Sequence, residues 1–275
     1  MALSDAELAI AAAEAGAAIV RSRYGTSLTR VDKGGRDFAT NADLESEAAI
    51  VDTLRGARPQ DAVLAEETGR HPGATDRTWL TDPLCGTVNF ATHTPLVAVN
   101  VALRIGTTIA AAASAAPFTE EVYWTDGAHA YVRHGGTDTR LAPASRSALV
   151  ELNLDLPSPD NARFLVTPLL SDVRFAARFD PRVSSSTLPV AWVAAGRRAA
   201  YVTDGQMHDN VHFAAGIGLC QAAGCVVTDL RGQPLGTGGE GLLIAADAPT
   251  HAALLELIPG RPARPGAAAA PAPRP

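Results

Sequence analysis

Three stretches of the 275-residue sequence gather carboxylates, hydroxyls and glycines beside apolar runs. They are Lys33-Gly-Gly-Arg-Asp37-Phe-Ala-Thr40-Asn-Ala-Asp43, Ala65-Glu66-Glu67-Thr68-Gly69, and Trp79-Leu-Thr-Asp82-Pro-Leu-Cys85-Gly86-Thr87-Val-Asn89-Phe90. Glu66 and Asp82 each follow a short apolar segment of strand character, which places them at strand ends. Carboxylates in that position supply the oxygen ligands that a hard cation such as Mg²⁺ takes. A Gly-Thr turn opening a helix supplies free N–H groups for an anion. Taken singly, each stretch reads better as a set of caps and Asx turns. The three together, in this order, describe a site for a divalent cation and a phosphate.

The same residues resemble a known family. AEETG at 65–69, WLTDPLCGTVNF at 79–90 and VHFAAG at 211–216 are similar to the signatures of the inositol monophosphatase family. Those signatures are glutamates after a strand, then WxxDPxDGTxNF, then a late WDxAAG helix start. The resemblance runs from about residue 5 to 258 and includes Asp37 and Thr40-Asn-Ala-Asp43. It implies a layered αβαβα sandwich, of mixed α+β and α/β character, and Mg²⁺-dependent hydrolysis of a small sugar or inositol phosphate. It implies that Glu66, Asp82 and the Leu84 carbonyl hold a first metal. It also implies that Asp43 orients the Thr87 hydroxyl, which with Glu66 positions the attacking water. Gly86 and Thr87 would cradle the phosphate through their N–H groups, with Ser185 and Thr203 as substrate contacts and Glu67 as a nearby acid. Because family members are commonly dimers, a homodimer is expected.

The pattern breaks in two places. The second aspartate of DPxDGT is Cys85, and ungapped alignment on Ala214-Ala215-Gly216 puts His212 at the late aspartate. A two-residue slip would bring Asn210 there instead, with Asp209 just before it. In the family the two replaced aspartates share a second metal, so one Mg²⁺ site is expected, with no Mg²⁺ or a softer metal as the alternatives. Sulfur and imidazole do not suit Mg²⁺, which wants octahedral oxygen. Losing a charge-stabilising element of this kind costs on the order of 10²–10³ in rate. The leading reading is therefore a phosphatase-like enzyme with an altered second metal site. Cys85 and His212 could also hold a softer metal with Asp82, or form a nucleophile and its base for metal-independent covalent or acyl-transfer chemistry. A non-catalytic relative that binds a ligand is a further alternative, with Cys85 as a small buried residue.

These motifs need elements to hold them. Ser4 and Glu7 read as a capping box that opens a helix through about Arg23, and a second helix runs from about Asn41 past Leu54. Strands are expected at 62–65, 79–81, 96–105, 107–116 and 121–124, with a hairpin at Gly135-Gly136. Later strands are expected at 164–167, 199–203 and 226–230, separated by helices near 187–195 and 211–223. This gives an α+β half over 1–150 carrying the motifs, an α/β half over 151–260 completing the site, and a disordered Ala/Pro-rich tail over 261–275. The apolar fraction of 47% excludes disorder of the whole chain. A net charge of −6 without any Lys/Arg run argues against a nucleic-acid partner. No apolar stretch reads as a membrane span, and three cysteines without a CxxC pair fit a reducing cytoplasm. Cys220 and Cys225 read as core.

Overall fold

The computed structural model describes residues 3–34, 37–144, 147–154, 166–207, 209–237 and 240–258. Helix α1 (Asp5–Arg23) begins where Ser4 Oγ accepts from Glu7 N at 3.2 Å. Only that half of the expected capping box forms, because both Glu7 oxygens hold Arg133, at 2.9 and 3.0 Å. A hairpin, β1 (Arg30–Gly34) and β2 (Asp37–Thr40), leads into α2 (Asn41–Ala57). There Thr40 Oγ1 accepts from Ala42 N and Asp43 Oδ2 accepts from Thr40 N, a complete capping box. The two helices lie against each other at Gly16, where a Cβ would stand 2.8 Å from both Ile50 Cδ1 and Ser46 Oγ. Gly16→Ala is therefore expected to lower stability by about 1–2 kcal/mol, overpacking outweighing the gain in helix propensity. The check is a denaturant midpoint, and a rise would mean that the helices part freely.

Strands β3 (Ala62–Ala65), β4 (Gly69–His71) and β5 (Arg77–Cys85) precede the short helix α3 (Thr87–Ala91). Then come β6 (Ala98–Ile105), β7 (Thr108–Ala116), β8 (Glu121–Thr125), β9 (Ala130–His134) and β10 (Thr137–Arg140). They form an eight-stranded sheet of order β10-β9-β8-β7-β6-β5-β3-β4, antiparallel except where β3 runs parallel to β5. The chain continues through β11 (Leu149–Asn153), α4 (Thr167–Ser171), α5 (Val173–Ala176), β12 (Asp180–Ser184), α6 (Leu188–Ala194) and β13 (Ala200–Thr203). It ends with α7 (Ala214–Ala223), β14 (Val226–Thr228), β15 (Leu242–Ala245) and α8 (Ala248–Leu257). The second sheet has five strands in the order β12-β11-β13-β15-β14.

Side-chain alternation decides the layers. α1 and α2 bury Leu8, Ile10, Ile50 and Leu54 against Trp79, Val101 and Leu103 on one face of the large sheet. α6 and α7 lie between the sheets, among Ala98 and Tyr123 of the first and Tyr201, Leu242 and Ile244 of the second. The alternate residues Ala200, Val202 and Leu243 face outward and are covered by α4, α5 and α8 through Leu169, Phe175 and Leu254. The result is the αβαβα sandwich that the resemblance implies. Alanine and glycine let the middle layer sit close: a Cβ at Gly216 would come 2.5 Å from Val190 Cγ1. The strand expected at 164–167 is corrected, since Thr167 opens α4 and residues 164–165 lie outside the described residues. The tail from Arg261 also lies outside them. Among the described residues no helix is long and apolar enough to cross a membrane.

Candidate active site

The site forms where β3, β5, α2 and the approach to α7 converge. β5 ends in Asp82-Pro83-Leu84-Cys85, and its register against β6 shifts between Asp82 and Cys85. In an unbroken strand, residues three apart face opposite sides. The irregularity at Pro83 brings both side chains to one side, where the ligand atoms of Asp82, Cys85 and His212 all lie within 4.8 Å of one another. Gly86 then takes φ 99°, a left-handed conformation that suits glycine, and α3 starts at Thr87. A Cβ on Gly86 would stand 3.1 Å from Leu96 O and 3.4 Å from Ser185 O. The first helical hydrogen bond of α3 runs from Phe90 N to Gly86 O. Thr87 and Val88 thus present N–H groups at a helix start, as an anion cradle needs.

Hydroxyl and carboxylates are held in sequence. Thr87 Oγ1 donates to Asp43 Oδ1 at 2.8 Å and lies 3.2 Å from Leu84 O. Asp43 is fixed in turn by Thr40 N and Thr40 Oγ1, at 2.7 and 2.6 Å. Burial raises the Asp43 carboxyl above its ordinary range, against those hydrogen bonds. Glu66 leaves β3 beside Asp82, and Lys33 on β1 reaches Glu66 Oε1 at 3.2 Å and Glu67 Oε1 at 2.7 Å. Burial and then the neighbouring Asp82 charge push Glu66 up to about 9. Asp82 is fully buried, which opposes its charge, yet His212 Nδ1 at 2.8 Å holds its carboxyl below the usual range. Burial likewise opposes the Lys33 charge, and the two glutamates outweigh it.

The late segment resolves the open alignment. His212 reaches the site, with Nδ1 2.8 Å from Asp82 Oδ2 and 3.9 Å from Glu66 Oε2. Asn210 Oδ1 accepts from His212 N and Phe213 N and so fixes the turn ahead of α7. Asp209 pairs with Arg104. Ser185 lies beside the cradle, its carbonyl accepting from Asn89 Nδ2 at 2.8 Å. Thr203 does not present itself: it is 4% exposed, with its hydroxyl at 3.3 Å from both Asn153 Nδ2 and Asp204 O. The expected substrate contact from Thr203 would have to compete with these two partners. The activated thiolate is not found either. The imidazole nitrogen engages Asp82, and burial together with that carboxylate drives the Cys85 thiol well above its ordinary value.

α2 contributes two residues that the sequence reading passed over. Ser46 Oγ donates to Pro83 O at 2.8 Å, and Glu47 accepts from Glu67 N at 2.7 Å and Thr68 N at 2.8 Å. Asp43, Ser46 and Glu47 share one helical face by their i, i+3, i+4 spacing, and that buried polar stripe holds the β5–α3 stretch at Pro83 and Thr87 and the turn after β3. Glu47→Ala leaves two N–H groups beside the site without their acceptor, each costing about 1–3 kcal/mol if it stays buried. A drop in thermal midpoint with a parallel loss of metal affinity is the expected result. An unchanged midpoint would show that water replaces the clamp.

The model of the inositol monophosphatase family matches residues 3–261. The chain belongs to this family. It is 35% identical over 219 residues to an inositol-1-monophosphatase of Caulobacter vibrioides, an alignment covering 74% of this chain and 80% of that one. It is 32% identical over 232 residues to the Nus factor SuhB of Escherichia coli K12, covering 82% and 85%. Among solved structures, the extragenic suppressor protein suhB of Bartonella henselae superposes with a TM-score of 0.79 at 25% identity, over 90% of this chain and 97% of that one.

Members of the inositol monophosphatase family are generally Mg²⁺-dependent. The donor set here fits one such ion: Glu66 and Asp82 are carboxylates, and the Leu84 carbonyl lies in the same turn. It does not fit a second, because Cys85 and His212 offer sulfur and nitrogen to an ion that takes oxygen.

Proposed function

We propose that this inositol monophosphatase family member hydrolyses a small phosphate monoester of a sugar or an inositol, with Mg²⁺ at a single position. The observation that carries the reading is the Thr87 Oγ1–Asp43 Oδ1 hydrogen bond of 2.8 Å, set at the start of α3. Asp43 accepts the hydrogen bond from Thr87 Oγ1, so the lone pairs of that oxygen are left to accept from a water molecule. Glu66 is the second acceptor, and the pair fixes the direction from which water attacks. The N–H groups at Gly86-Thr87 orient the phosphate, and Ser185 stands beside it. Mg²⁺, when held by Glu66, Asp82 and the Leu84 carbonyl, supplies charge neutralisation and lowers the pKa of water. In this reading the protein acts in the cytoplasm as a homodimer.

The test is phosphate release from a panel of sugar and inositol monophosphates, with and without Mg²⁺. Weak Mg²⁺-dependent turnover that Asp82→Asn and Glu66→Gln abolish is expected. No release from any ester, with Mg²⁺ binding demonstrated by calorimetry, would overturn the enzymatic reading in favour of ligand binding without turnover.

A further inference from the structure

The second cation position refuses Mg²⁺, yet its three side chains remain gathered. Asp82 Oδ2, Cys85 Sγ and a ring nitrogen of His212 lie within 4.8 Å of one another. An oxygen, a sulfur and a nitrogen donor together match the borderline and soft metals, which take thiolate and imidazole in preference to all-oxygen shells. Three protein ligands with one position left over is also the ligand count of an open zinc site. We propose that Asp82, Cys85 and His212 form a binding site for one divalent cation of the zinc class. The inference goes beyond the hydrolase reading and does not depend on turnover.

Support around the three ligands is already built. Leu84 N donates to Asp82 Oδ1 at 3.1 Å, which leaves Oδ2 facing His212. Thr187 N donates to Cys85 Sγ at 3.3 Å, and Thr187 is itself held by Asn100 Nδ2 at 2.8 Å. Asn210 anchors the backbone of His212. Such outer partners orient metal ligands and tune their basicity. Ligand atoms at 2.0–2.3 Å from a tetrahedral zinc stand about 3.3–3.6 Å apart. The Nδ1–Oδ2 distance of 2.8 Å is a hydrogen-bond length, so exchanging the bridging proton for a cation parts the two atoms by roughly half an ångström. His212 can make that movement, since its side chain is 40% exposed. Cys85 Sγ, within 4.8 Å of the other two, closes any remaining gap by rotation of its short side chain. Glu66 Oε2, at 3.9 Å from His212 Nδ1, is positioned to supply or orient a fourth ligand.

The experiment uses the untagged full-length chain, stripped with chelator and titrated with Co²⁺, then challenged with Zn²⁺ or Mg²⁺. One equivalent of Co²⁺ should produce an intense thiolate-to-cobalt charge-transfer band that Zn²⁺ displaces and excess Mg²⁺ does not. Cys85→Ser should remove the band, while Cys225→Ser should keep it. His212→Ala, with its fold checked by circular dichroism because the half-buried imidazole also pairs with Asp82, should weaken Zn²⁺ binding by on the order of 10²-fold or more, since even outer-shell losses reach that size. Absence of the band overturns the proposal. So does a band that survives Cys85→Ser, equal displacement by Mg²⁺, or Zn²⁺ affinity unmoved by His212→Ala. None of these readouts involves phosphate release, so failure of the hydrolase reading leaves them untouched.

Discussion

Thr87→Val is expected to lower the Mg²⁺-dependent kcat by about 10²–10⁴, the range that positioned proton acceptors contribute, with KM little changed. Valine preserves the size and branching of threonine, so the start of α3 keeps its packing. What disappears is the hydroxyl that stands between Asp43 and the water. Asp43 Oδ2 retains Thr40 N and Thr40 Oγ1 at 2.7 and 2.6 Å, so α2 keeps its cap, while Oδ1 loses its Thr87 partner and a small drop in stability accompanies the loss of rate. A loss of binding would raise KM, whereas a loss of water orientation shows in kcat, and that split is the measurement. Thr87→Ser restores the oxygen and should restore most of the rate. A Thr87→Val rate within about tenfold of the parent would show that Glu66 alone directs the water and would withdraw Thr87 from the mechanism.

How much of this was legible follows from what each residue touches. The Asp82-to-Asn89 stretch declares its chemistry because strand end, glycine turn and helix start are consecutive, and local geometry alone brings the groups together. Asp43 was legible only through the family resemblance, since its partner Thr87 lies forty-four residues away. Asp209, Asn210 and His212 could not be separated by spacing. Arg104, the turn before α7 and Asp82 take one each, and only tertiary contact decides among them. Glu47 went unread, because a carboxylate in a helical stretch carries no mark of burial. The site buries it to satisfy the loop after β3. Strands β1, β2, β4, β11, β12 and β15 also escaped, two of them for plain local reasons. All five residues of β1 are exposed, so they show no alternation, and β12 contains Pro181, which an edge strand tolerates and a central one does not.

The double substitution Cys85→Asp with His212→Asp is expected to raise Mg²⁺-dependent turnover by on the order of 10²–10³, the magnitude carried by one well-placed charge-stabilising element. Both replaced side chains lie beside Asp82, with ligand atoms within 4.8 Å of it, so new carboxylates would enter the same space. Thr187 N, which donates to Cys85 Sγ at 3.3 Å, can donate to a carboxylate instead. The cost appears without metal. Two new carboxylates would join buried Asp82, with His212 gone and Lys33 engaged by Glu66 and Glu67. Like charges gathered in a buried site disfavour the folded state until a cation neutralises them. The variant should therefore melt below the parent in chelator and gain more from added Mg²⁺ than the parent does, because an ion that binds only the folded form stabilises it by mass action. Both readouts are needed. A Mg²⁺-dependent rise in melting temperature without faster phosphate release would show that a second ion binds but that the altered metal position is not what limits catalysis. Neither effect would mean that strand β5 and the turn before α7 no longer hold these side chains where a shared ion could reach them.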